Sequence, residues 1–462
     1  MRICLVVYDD EAYIASFPQG IAYVAAALRR AGHEVAIWAQ DVQHYADEDL
    51  TAYLDANAFD VVGIGVIAGY FQYRRLLRLS KAVNRSRKRP FFVLGGYGPT
   101  PEPEFFMRKT EADAIVLGEG EAVVCELFDA LEHNRPFSEV KGIAYRDGET
   151  IHVNERAPLI ADIRSIPWPA YDLFEMNYYR LHRPSGVAAT EFAIPVLSGR
   201  GCTFKCTFCY RMDTGHRPRP FDDLLDEIEF LQKTYRIGRF DFSDDLLMVS
   251  KQHTVEFCQE VLRRGSKFHW NCNGRLNYAT PDVLKIMKEA GCVFINYGIE
   301  SVDDVVLRNM KKGLRYDMII AGIENTQASG IHPGLNIIFG NIGDNRETLK
   351  KSVDFLVKYD DQAQFRTIRP VTPYPGSPLY YDAIAKGLLS GPEEFYEVKH
   401  LNSDLVAVNF TELSDDEFHE ALLEANEALI QNYYDKMTTK VIDATRELYL
   451  KHDVNFRGYR HT

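Results

Sequence analysis

Short apolar runs alternate with longer amphipathic stretches along the first third of the chain. Arg2–Val7, Glu34–Trp38, Val61–Val66, Phe91–Leu94 and Ala114–Leu117 read as strands. Between them, Gly20–Ala31, Tyr73–Asn84 and Ala122–Leu131 carry apolar residues at helical spacing. Alternation of this kind predicts an α/β unit over residues 1–135, a doubly wound, Rossmann-like parallel sheet. Ligands of such sheets sit at the carboxyl ends of the strands, where Gly65, Gly95-Gly96 and Gly118-Glu119-Gly120 fall.

Residues 136–190 read as a hairpin turned at Asp147-Gly148, followed by a proline-marked linker, Ile166-Pro167-Trp168-Pro169. A second series occupies residues 191–385. Its strands are Ala193–Ser198, Arg239–Phe242, Lys267–Asn271, Val293–Gly298, His332–Phe339 and Gln364–Pro370. Its helices are Asp222–Tyr235, Lys251–Arg264, Pro281–Glu289, Tyr316–Ser329 and Arg346–Tyr359. Strands and helices in this order predict a partial (β/α)6 barrel, with its chemistry at the strand carboxyl ends. Residues 386–462 form a C-terminal region whose tail, from about Ser414, reads as helical.

Hydrophobic residues make up 46% of the 462 and charged residues 26%, the balance of a globular chain. No window approaches the ~20 apolar residues of a membrane span. The N-terminus turns acidic too soon for a signal peptide, which predicts a cytoplasmic enzyme. The net charge of −13 argues against nucleic acid as a partner and is compatible with a cationic small-molecule substrate.

Of the eight cysteines, Cys4, Cys125, Cys258, Cys272 and Cys292 are scattered over apolar segments and read as small core residues. Cys202, Cys206 and Cys209 instead form C-x3-C-x2-C directly after a predicted strand. Three thiolates on one short loop can hold three irons of a cubane, leaving the fourth open to substrate. A structural zinc would want a fourth ligand at a second knuckle, and no second CxxC exists. Phe208, just before the third cysteine, can shield one face of the cluster.

This loop resembles that of radical S-adenosylmethionine enzymes. The resemblance implies a [4Fe–4S] cluster on Cys202, Cys206 and Cys209 that cleaves S-adenosylmethionine to a 5′-deoxyadenosyl radical, which abstracts hydrogen from substrate. It also implies contacts to S-adenosylmethionine from Phe208, from Ser243, Asp244 and Asp245 after the second strand, and from Arg275 after the third. Glu300 and Ser301 would follow from the fourth strand, and Asn341 from the fifth. Asp244 and Asp245 have a plainer reading as N-caps of the next helix. Tyr210, Tyr374 and Tyr380 are candidate substrate contacts with core packing as the alternative.

Residues 1–135 resemble the cobalamin-binding domain that precedes the barrel in one subgroup. On that resemblance Gly65, Gly95, Gly96, Gly118 and Glu119 would floor the cobalamin site. The Asp-x-His-x-x-Gly signature is absent, since Asp41-Val42-Gln43-His44 has the wrong spacing, so that motif supplies no imidazole to cobalt. Gly98 stands where relatives commonly carry histidine. Tyr70, Phe71, Tyr73 and Tyr97 either pack on the corrin or fill its place, which would leave the domain an empty scaffold.

Two reactions remain open. One is cobalamin-dependent C-methylation of a small molecule in secondary metabolism. The other is a radical dehydration, lysis or rearrangement, of a diol or aminosugar for example. The resemblance further implies an electron donor such as flavodoxin or ferredoxin. No motif identifies a general acid or base.

Overall fold

The computed structural model describes residues 1–183, 191–212 and 214–455. The first sheet uses β1 (Arg2–Val7), β2 (Glu34–Ala39), β3 (Val61–Gly65), β4 (Phe91–Gly95) and β5 (Ala114–Val116), all parallel, in the order β2-β1-β3-β4-β5. β1, β3, β4 and β5 are mostly buried because helices cover both faces, as a parallel sheet requires, while the edge strand β2 is mostly half-buried. The predicted hairpin forms as β6 (Ile143–Asp147) and β7 (Thr150–Val153). It joins the same sheet, antiparallel on the free edge of β5, so the edge left by the parallel series is covered.

β8 (Ala193–Val196) opens the second unit, and β9 (Gly199–Arg200) pairs antiparallel with β10 (Arg217–Pro218). β11 (Arg239–Phe242), β12 (His269–Gly274), β13 (Cys292–Glu300), β14 (His332–Phe339) and β15 (Arg369–Pro370) follow. The six-stranded sheet has the order β8-β11-β12-β13-β14-β15, parallel throughout, and forms the expected partial barrel. Trp270 is buried at its centre, its indole donating to the Ala290 carbonyl at 2.7 Å and meeting Phe242 and Phe257 edge-on. The helix Asp415–Lys451 starts at a Ser414/Glu417 capping box and lays Phe418 on Phe339. The last seven residues of the expected helical tail lie outside the described residues. Among the described residues no helix is long and apolar enough to cross a membrane.

Four of the six expected barrel strands shift, the fourth by lengthening from Val293–Gly298 to Cys292–Glu300. The sixth shrinks from Gln364–Pro370 to two residues because Arg366, buried, holds Asp360, Asp361 and the Pro333 carbonyl in an ion-paired turn. The third starts later, because Gly265 in left-handed conformation caps the preceding helix. The first ends at Val196, because the Ser198 amide turns to the Asp244 carboxylate. Trp270→Ala should cost about 3–5 kcal/mol of stability by opening a cavity in the barrel core, read as a lower urea midpoint in anaerobic unfolding.

Candidate functional site

The β9–β10 ladder closes the cysteine loop at its base, pairing Arg200 with Arg217 and Gly199 with Pro218. Two backbone hydrogen bonds pin its middle. The Thr207 amide donates to the Met310 carbonyl at 3.0 Å, and the Leu379 amide donates to the Thr207 carbonyl at 2.8 Å. The Arg275 guanidinium lies 3.4 Å from the Phe204 ring centroid, and Lys312 Nζ lies 5.3 Å over Phe208. Cation–aromatic contacts of this kind strengthen when shielded from water.

Cys206 is buried, and Cys202 and Cys209 are half-buried. A hydrogen bond from Cys209 pulls the Cys206 thiol down to about 6, helped by the charges of Lys312 and Arg275; the same bond pushes Cys209 up. Thiolate, the form that ligates metal, is thus favoured at Cys206, whereas burial pushes the Cys202 thiol up. Among the described residues no three His, Cys, Asp or Glu side chains converge on a point that one ion could occupy. A cubane makes a different demand, because each thiolate meets its own iron. The other five cysteines pack into the cores, Cys125 only partly.

Apart from Phe208, the residues expected to contact S-adenosylmethionine stand at or just after the carboxyl ends of β11 to β14, with unequal freedom. The Asp244 carboxylate is buried against the Ser198 amide and hydroxyl, and burial raises it to about 7. It braces the end of β8. Neither Asp244 nor Asp245 caps a helix, because Ser250 caps Lys251–Arg264. Asp245 lines the cavity described below and is raised by burial, and the Ser243 hydroxyl donates to Gln19 Oε1 at 2.8 Å. Arg275 donates to the Lys312 carbonyl and to Asn277. Glu300, at φ +68°, accepts from Lys312 Nζ at 3.1 Å. Buried Ser301 accepts from the Asp303 amide. The buried side-chain NH2 of Asn341 has no hydrogen-bond partner, a vacancy that an adenine acceptor would fill. A row of carboxamides also crosses the barrel. Asn336 donates to Asn296 at 2.8 Å, Asn296 to Asn273 at 3.0 Å, and Asn273 to the Asp244 carbonyl at 2.8 Å.

A cavity of about 680 Å³ separates the two sheets at their carboxyl edges. Gly65, Gly95, Gly96, Gly118 and Glu119 line one side, and Arg200, Gly201, Met212, Ser243 and Asp245 the other. It continues inward along Leu5, Val93, Leu28, Val124 and Phe128, within the apolar core of the first unit. A Cβ on Gly96, at φ +100°, would lie 2.5 Å from the Val66 carbonyl oxygen, and one on Gly65 would lie 2.8 Å from Ile21 Cδ1. Tyr70, Phe71 and Tyr73 do not fill this space. Tyr70 meets His400, Phe71 lies under Arg75, and Tyr73 packs on Phe105 and Tyr396. Of the four aromatics only Tyr97 lines the cavity, edge-on to Tyr210. A glycine-floored slot that deepens into apolar core fits a flat macrocycle with an extension, so the residues present suit cobalamin. The Glu119 carboxylate itself is not open to a ligand, being held by Arg200, Arg217 and the Ile160 amide. Tyr380 is a core residue buried against Phe395, whereas Tyr374 is half-buried and meets Phe395 and His400 edge-on.

Sequence reasoning missed Gln19, Arg200 and Lys312. The adjacency of Arg200 to Gly201-Cys202 was the one local signal; the other two are gathered only by the fold.

Known proteins bring both halves together. The Radical SAM superfamily model matches residues 196–356, and the B12 binding domain model matches residues 7–128. An uncharacterised methyltransferase of Pyrococcus horikoshii is 31% identical over 402 residues, which is 84% of each chain. An anaerobic magnesium-protoporphyrin IX monomethyl ester cyclase of Cereibacter sphaeroides is 29% identical over 79% of this chain and 60% of that protein. The solved radical S-adenosylmethionine methyltransferase TsrM from Kitasatospora setae, with cobalamin and [4Fe–4S] cluster bound, shares the fold. Its TM-score is 0.73 at 17% identity, over 92% of this chain and 89% of that one. With an open cavity at the B12-matching sheet and a three-cysteine loop rooted at its far side, this chain belongs to the radical S-adenosylmethionine superfamily, in the subgroup that carries an N-terminal B12-binding domain.

Proposed function

We propose that the protein is a cobalamin-dependent radical S-adenosylmethionine methyltransferase acting on carbon of a small molecule. One observation carries the reading: the floor of the B12-matching sheet lines the same cavity as Gly201, at the root of the cysteine loop, and Met212, just beyond it. When bound, the [4Fe–4S] cluster and S-adenosylmethionine supply radical chemistry, and cobalamin supplies a transferable methyl group.

The chain's own residues bind and orient. Cys202, Cys206 and Cys209 hold the cluster and leave its remaining iron to S-adenosylmethionine. Phe204 and Phe208 keep water from the loop, each covered by a cation. Ser243 and Asp245 face the cavity, while Glu300 and Asn341 offer an acceptor and a donor at the ends of β13 and β14. Asp244, Arg275 and Ser301 position their loops through the hydrogen bonds described above. Gly65, Gly95, Gly96 and Gly118 admit the macrocycle to the backbone, and Glu119 holds the adjoining turn in place.

A second reading, radical cyclisation or elimination without methyl transfer, is favoured by the likeness to a cyclase. Anaerobic turnover with a small-molecule extract separates them. Methyl transfer yields S-adenosylhomocysteine together with 5′-deoxyadenosine, whereas deoxyadenosine alone supports the second reading.

Cys206→Ala should abolish the brown cluster absorbance and all S-adenosylmethionine cleavage; cleavage surviving in that variant would sink the assignment. Gly96→Val should impose about 1–3 kcal/mol of backbone strain at the cavity floor. Cobalamin content after reconstitution should then fall while iron content stays at the wild-type value.

A further inference from the structure

The two units meet at the cavity through buried charge. Glu119 and Glu121 flank Gly120 on the turn after β5, with side chains only 7% and 8% exposed. Arg200, from the barrel, donates to Glu119 at 2.9 Å and to both oxygens of Glu121 at 2.5 and 3.2 Å. Arg217, facing Arg200 across the β9–β10 ladder, donates to both oxygens of Glu119 at 2.9 Å and to the Ile160 carbonyl at 2.6 Å. Two acids of one unit thus meet two guanidinium groups of the other.

Such a group is neutral only when both units dock in one register. Burying it adds little net stability, but leaving one member unpaired is costly. Forked guanidinium–carboxylate contacts also fix orientation more tightly than apolar contact does. Its location gives that register a use. Arg200 is followed at once by Gly201 and Cys202, so it stands at the root of the cluster loop. Its partners adjoin Gly118 and Gly120, which line the cobalamin side of the cavity.

We propose that Arg200 is a positioning residue that sets the separation and mutual orientation of the cluster and cobalamin by clamping the β5 turn to the root of the cysteine loop. The inference rests on the reading that both cofactors bind. The test uses full-length holoenzyme without substrate, its cluster reduced and its cobalamin in the Co(II) state. The readout is the dipolar coupling and relaxation enhancement that the cluster imposes on the cob(II)alamin electron paramagnetic resonance signal.

Wild type should give one narrow coupling. Arg200→Gln should give a weaker, spread coupling at unchanged iron and cobalamin content. Arg29→Gln is the control, since it removes the exposed Arg29–Asp172 contact of 2.8 Å that also ties the first unit to the linker; its coupling should stay narrow. If Arg200→Gln does not fold, Glu121→Gln removes one arm of the clamp and is read in the same way. A wild-type coupling in the Arg200 or Glu121 variant overturns the proposal, as does equal spreading in the Arg29 control. Wild-type protein that takes up the cluster but no cobalamin overturns the functional reading itself, and this inference with it.

Discussion

Every strand of a parallel sheet ends on the same edge, so its loops, glycines and exposed amides collect there. Here two such edges face each other across one cavity. The rest of the site follows from that opposition. A loop rooted at the end of β8 must start opposite the turns after β3, β4 and β5, and residues at the ends of β11 to β14 must stand on the same edge as that loop. Covering the sheets' other edges and faces, with the hairpin on β5 and with helices elsewhere, leaves this opening as the place where polar groups can face a ligand.

Regular elements with strong periodicity were legible. β1, β11, β14 and the helices at Lys251–Arg264, Pro281–Glu289 and Arg346–Tyr359 run over the residues their patterns indicate. The first-unit helices Asp49–Asn57 and Pro103–Thr110 escaped, the second although it buries Phe105, Phe106 and Met107. The helix Asp49–Asn57 buries only Leu50 and Leu54, too few apolar positions to mark a helical face. The shortened β15 shows the opposite failure, an apolar pattern overridden by an ion-paired turn at Arg366.

At the site, the cysteines were legible because their spacing is itself the signal. Lys312 was not, because a lysine beside another lysine and a glycine reads as surface. Only the fold lays it over Phe208 and pairs it with Glu300. For Tyr374 and Tyr380 the sequence left substrate contact and core packing open, and the C-terminal segment, folding over them at Phe395, gives the packing. The three cysteines needed sequence alone, whereas everything that holds them in place needed tertiary contact.

The carboxamide row from Asn336 to the Asp244 carbonyl runs in a single direction, each NH2 pointing toward β11. A rung that cannot donate breaks it. Aspartate at position 296 would set a carboxylate against the Asn273 oxygen and strand both acceptors. An acid of nearly identical shape is therefore excluded at that rung, where a carboxamide is accommodated. The barrel's interior chemistry is constrained by hydrogen count as well as by size, since a Cβ on Gly334 would lie 2.6 Å from the Asn296 oxygen.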